Sequence, residues 1–162
     1  MSLIARFRKL YEHEKDSNLK MLSMLDSVPE ENRDDARFQR AVSIAGHLAA
    51  CRENWLDLMS GAGDKQVSWY DEACDFATLR PRFAALEQRW TDYLAGLDDT
   101  TVMQPFSFSE NGGTWSLPTD AQIEQLFGHA SYHRGQIALL VDQLGGEVID
   151  TDYITWAYPE GA

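Results

Sequence analysis

TDAQIEQLFGHASYHRGQIALLVDQL, residues 119–144, is the stretch on which the fold turns. Ile123, Leu126, Ala130, Ile137, Leu140, Val141 and Leu144 recur at spacings of three and four, the repeat of one face of an α-helix. Thr119 or Asp120 is placed to cap its start, and Gly145-Gly146 to end it. His129 and His133 stand four residues apart, one turn from each other on the same side. At 100° per residue His133 falls near the centre of the apolar stripe and His129 about 60° to one side, so both point inward or into a cleft. Arg134 falls on the flank, about 80° from centre, where an ion pair with Glu53 or Asp152 is expected. Gly135 costs a helix about 1 kcal/mol relative to alanine, so its expected purpose is close approach by a neighbouring helix. Gln136 either fixes an imidazole or lies on the rim.

Upstream, residues 99–118 break the helical period. Asn111-Gly112-Gly113 is a strong turn signal there, and a long loop or a small β-hairpin is expected. Before it, Leu79, Phe83, Leu86, Trp90, Tyr93 and Leu94 mark a helix from about Asp75 or Thr78 to Leu97, with Pro81 in its first turn. Ile44, Leu48, Cys51, Trp55 and Met59 form the inner stripe of an earlier helix, capped within residues 32–35 and stopped by Gly61-Ala-Gly63. The first helix carries Leu3, Phe7, Leu10, Tyr11, Met21, Leu22 and Leu25 and ends at Val28-Pro29. Four long helices with a hairpin or long loop before the last give an all-α four-helix bundle, read as one domain over residues 1–162. The aromatic tail from Thr151 to Trp156 is expected to pack back on the body.

The net charge of −12 comes from 26 acidic and 14 basic residues, and the basic ones are scattered. This argues against direct binding of nucleic acid, which calls for a basic face. No apolar run is long enough to span a membrane, and the amphipathic N-terminus lacks a signal-peptide pattern, so the expected location is the cytoplasm. Cys51 and Cys74 form no metal-type pair and no disulfide framework, and both are expected as reduced, partly buried thiols.

Three of the four histidines can be brought to one point. His47 lies at the edge of the second helix's buried stripe and can supply a third nitrogen to His129 and His133. On the first helix, Glu14 and Asn18 interrupt the apolar stripe and need partners or a polar site, because burying such a group unsatisfied costs about 1–3 kcal/mol. Ala130 follows His129, so the glutamate of an HExxH metalloprotease motif is absent.

The segment Leu126-Phe-Gly-His129-Ala-Ser-Tyr-His133-Arg134-Gly135-Gln136 resembles the H-x-x-x-H-R-G-Q signature of the DinB/YfiT-like superfamily. His47 followed by Glu53 and Trp55, and the acidic-aromatic tail Thr151-Asp152-Tyr153-Ile154, are similar to that family's other elements. The resemblance implies a four-helix bundle, a homodimer, and one divalent ion, zinc or nickel, held by His47, His129 and His133. It also implies transfer of a low-molecular-weight thiol to a small electrophile, the activity of characterised relatives.

A three-ligand ion keeps an open position, as catalytic metals do. Such an ion activates a thiol, or lowers the pKa of water for hydrolysis. Glu14 and Asn18 are the expected catalytic residues, with Glu14 as a base in the hydrolytic alternative. Cys51, one turn after His47, either approaches the ion or is a buried bystander. A third alternative is a non-catalytic module that binds metal or senses stress.

Overall fold

A computed structural model describes residues 1–61, 68–70, 73–110 and 112–159. The element order is α1 (Leu3–Ser27), α2 (Ala36–Ser60), α3 (Phe76–Ala95), β1 (Pro105–Glu110), β2 (Gly113–Pro118), α4 (Thr119–Gln143) and α5 (Tyr153–Ala157), with a short 3-10 turn at Glu30–Asn32. The all-α bundle and the hairpin before its last long helix are therefore present as expected.

Local chemistry sets most of the boundaries. The Ser2 hydroxyl caps α1 through the Ala5 N–H, and Asp35 and Asp75 cap α2 and α3 through Arg37 and Ala77. Gly61 ends α2 at φ 72°, a left-handed conformation in which a side chain would be strained. The Gly63 part of that stop and Asn111 of the hairpin turn lie outside the described residues.

Two boundary expectations need correction. Thr119 is the first residue of α4, after Pro118, and its hydroxyl donates to the Gln104 carbonyl (2.7 Å) instead of capping the helix. Pro81 sits in the second turn of α3, because the helix starts at Phe76, so the Ala77 carbonyl loses its usual i+4 donor.

α1 packs against α3 and α4, and α2 packs against the same two helices, so α1 and α2 are diagonal partners. Between them lie Phe7, Met21, Leu25, Leu48, Phe83, Trp90, Ile123 and Ile137, all almost fully buried. Each such side chain contributes about 1.5–3 kcal/mol by leaving water. Arg8 joins the start of α1 to the end of α3 by donating to the carbonyls of Leu94, Ala95 and Leu97. The antiparallel hairpin pairs Phe106 with Leu117 and Phe108 with Trp115, and it rests on α2 and α4. The tail packs on α1, with Tyr153 and Trp156 against the His13 ring and the Thr151 carbonyl 2.9 Å from its Nε2.

Gly135 does not mark a close approach. Nothing lies within 4 Å of where its Cβ would stand. Gly146 is the crowded glycine: a Cβ there would meet Val141 Cγ1 at 2.6 Å and Ser27 Oγ at 2.9 Å. It lets the chain leave α4 across the end of α1.

Candidate metal centre

The packed pair α2 and α4 brings the three inner histidines together. The His47 ring centre lies 5.1 Å from that of His129 and 5.0 Å from that of His133, and the two α4 rings are 4.5 Å apart. All three pairs meet edge to face. Nε2 of His47 and Nε2 of His129 are 3.2 Å apart. Cys51, one turn along α2, places Sγ 3.6 Å from Nδ1 and 3.7 Å from Nε2 of His47. His47, Cys51 and His129 thus present ligand atoms within 4.8 Å of one another, a cluster capable of holding a divalent metal. The sulfur is a member of that cluster, a place its sequence position left open.

Two of the rings are fixed from behind. The Trp69 carbonyl lies 2.5 Å from His47 Nδ1, so this nitrogen carries the proton and Nε2 keeps its lone pair. Gln136 Oε1 lies 2.7 Å from His133 Nδ1 and selects the same tautomer there. Gln136 is in turn oriented by donating to the Tyr132 hydroxyl (3.2 Å). Of the two roles open to Gln136, holding an imidazole is the one its geometry fits. Outer contacts of this kind are what orient metal-binding imidazoles.

Electrostatics prepare the same atoms. Burial, aided by the neighbouring His133 and His47 rings, lowers the pKa of His129 to about 4. Burial also lowers that of His133, against the opposing hydrogen bond that its Nδ1 donates to Gln136 Oε1. Neutral imidazole is the form that binds a metal. Burial pushes the Cys51 thiol up to about 11, with Arg52 opposing, so a metal ion would have to displace its proton. This set of imidazole and thiol donors fits a soft or borderline divalent ion.

Glu14 and Asn18 are buried as the interrupted stripe required, but in an ionic cluster. Glu14 Oε1 is held by Arg52 and by Arg134 Nη1 (2.9 Å), and Oε2 by Arg134 Nη2 (3.0 Å). Arg134 also donates to Asn18 Oδ1 (3.1 Å), and Arg52 to the Leu126 carbonyl (3.0 Å). Burial raises the Glu14 pKa, but the two guanidinium groups together outweigh it and hold the carboxyl below its usual range. A carboxylate so engaged is a poor proton acceptor, so the expected role of Glu14 as a base has no support in its geometry.

Arg134 needs correcting in both position and partner. It is 3% exposed, on the buried line through Leu126, Ala130, Ile137 and Val141, while His129 and His133 are half-buried beside it. Its partner is Glu14, not Glu53 or Asp152. Glu53 instead pairs with Arg82 on α3 (2.7 and 2.8 Å).

Sequence reasoning missed three contributors. Arg52 is a mid-helix charge inside an apolar stripe, which was a usable sign of a buried ion pair. Tyr70, whose ring stacks on His47 at 4.8 Å and 8°, and the Trp69 carbonyl come from a connection with no periodic signal. Above the histidines an open cavity of about 270 Å³ is lined by Arg40, Ser43, Ile44, His47, Tyr70, His129 and His133.

The DinB family model matches residues 1–161 of the chain. Protein DinB of Bacillus subtilis (strain 168) is 22% identical over 156 residues, which cover 90% of each chain. No solved structure gives a significant match. No helix among the described residues is long and apolar enough to cross a membrane.

Proposed function

From the premise that this chain belongs to the DinB family, we propose that it is a metal-dependent transferase acting with a low-molecular-weight thiol on a small electrophile. His47, His129 and His133 are its metal ligands, with Cys51 beside them. The observation that carries the reading is three imidazoles, two with Nδ1 already committed, meeting at a cavity of about 270 Å³ that opens to solvent. When bound, the divalent ion supplies Lewis acidity, which keeps a thiol deprotonated at neutral pH. Overall, the thiol gives up its proton and its sulfur bonds to the electrophilic carbon. The displaced group leaves with its electron pair.

The protein's own residues hold and orient. Trp69 and Gln136 fix the rings, and the Glu14–Arg52–Arg134 cluster packs behind them with two guanidinium groups on one carboxylate. That excess of positive charge favours an anionic ligand, such as a thiolate, over a neutral one. Hydrolysis lacks comparable support, since Glu14, the carboxylate expected to serve as base, is occupied by two arginines.

Zinc- or nickel-loaded protein, offered a panel of small thiols and a generic aryl halide, should consume thiol and electrophile in equal amounts and faster than metal-free protein. Turnover of test esters without thiol would select the hydrolase. Neither activity, with stability that follows metal, would select a sensing module.

A further inference from the structure

Arginines on this molecule are almost all occupied. Arg52 and Arg134 hold Glu14, while Arg80, Arg82 and Arg89 hold Asp26, Glu53 and Asp57. Arg40 has no hydrogen bond or ion pair among the described residues, and it stands exposed on the lining of the histidine cavity. Arg40, Ser43, Ile44 and His47 fall at i, i+3, i+4 and i+7 of α2. They form one stripe that runs from the rim to the ligand nitrogens over two turns, about 10 Å. Along it lie a cation, a hydroxyl, an apolar wall and an imidazole.

In a chain of net charge −12 an anion is repelled almost everywhere. A guanidinium with no partner among the described residues, at the mouth of the cavity that contains the histidines, is therefore selective. Its planar fork matches a carboxylate with two parallel hydrogen bonds. We propose that the small molecule accepted by this cavity carries a carboxylate, held by Arg40, while its reacting end reaches the histidines. Arg40 is thus a specificity-determining residue, and Ser43 is placed to add a hydroxyl donor midway. The cavity volume limits the ligand to a small molecule and leaves no room for a folded peptide.

This proposal rests on the metal-and-thiol reading above, and one binding experiment separates the two. Cobalt-loaded protein is titrated with 4-mercaptobutanoate and with 4-mercaptobutanamide, following the thiolate-to-cobalt absorption band. The acid should bind about tenfold more tightly than the amide, the size of one charged hydrogen-bonded contact at a solvent-exposed site. In Arg40→Gln that preference should fall below twofold. In Arg6→Gln, which removes the same charge from an exposed position on α1, it should persist.

No band with either thiol would overturn the metal–thiol reading and this proposal together. A band with equal affinity for acid and amide would overturn the role of Arg40 alone. So would a preference that survives in Arg40→Gln, which would mean chelation by the ion. Loss of preference in Arg6→Gln as well would replace Arg40 by the general field of the protein and overturn the proposal.

Discussion

Nε2 of His47 on α2 and Nε2 of His129 on α4 lie 3.2 Å apart, with the Nδ1 proton of His47 already donated to the Trp69 carbonyl. Two lone pairs at that distance repel unless a proton or a cation lies between them. A neutral His129 fills that gap by donating an Nε2 proton to the His47 lone pair, and a divalent ion could take that proton's place between the two nitrogens. The outer contact on His47 thus aims its free nitrogen at the place where the cluster could hold a divalent ion.

Gln136→Leu tests that outer layer. It removes the acceptor on His133 Nδ1 and frees the ring to turn or change tautomer. Metal affinity, read by competition with a chromogenic chelator, should fall about 10- to 100-fold while the fold persists. Unchanged affinity would mean that His133 needs no such partner.

The Glu14 cluster governs stability. Glu14→Gln leaves two buried guanidinium groups with no carboxylate and should cost about 3–5 kcal/mol in urea unfolding. A loss below about 1 kcal/mol would show that the cluster is replaceable.

The same carboxylate sets a pH dependence. Its pKa is lower folded than unfolded, so below the ordinary glutamate range, about 4.3, the unfolded chain binds more protons. The stabilisation is fully present above that value and is lost as pH falls through the folded pKa. Urea midpoints from pH 6 to pH 3 should fall more steeply for the wild type than for Glu14→Gln.

Gly135→Ala reads the exposed side of α4. With no atom within 4 Å of the new Cβ, helix propensity alone should stabilise the monomer by about 0.5–1 kcal/mol. Destabilisation would point to a contact made there by another chain.

How far these features could be read in the sequence follows from where each signal resides. Helical periodicity, the cap candidates within residues 32–35 and the stops at Val28-Pro29 and Gly61 placed α1 to α4 within a few residues, because these signals act locally, whereas the Ser2 cap of α1 came only with the structure. Pro81 was misplaced only because the helix start was uncertain by two residues. The i, i+4 spacing of His129 and His133 put both on one side of α4. Arg134 was misjudged for a tertiary reason: α4 packs against both α1 and α2, so its buried surface is wider than one stripe. The charge at its centre became tolerable only because Glu14 arrives from α1. The Trp69 carbonyl left no trace, since any residue supplies a backbone oxygen and only the folded connection brings it to His47.

The most direct test is the metal content of purified protein and of the single variants His47→Ala, His129→Ala and His133→Ala, each checked for helical content. The account predicts about one divalent ion per wild-type chain, and its loss from each of the three folded variants. Wild-type protein that takes up no zinc or nickel from metal-supplemented buffer, or folded variants that all keep a full equivalent, would contradict it.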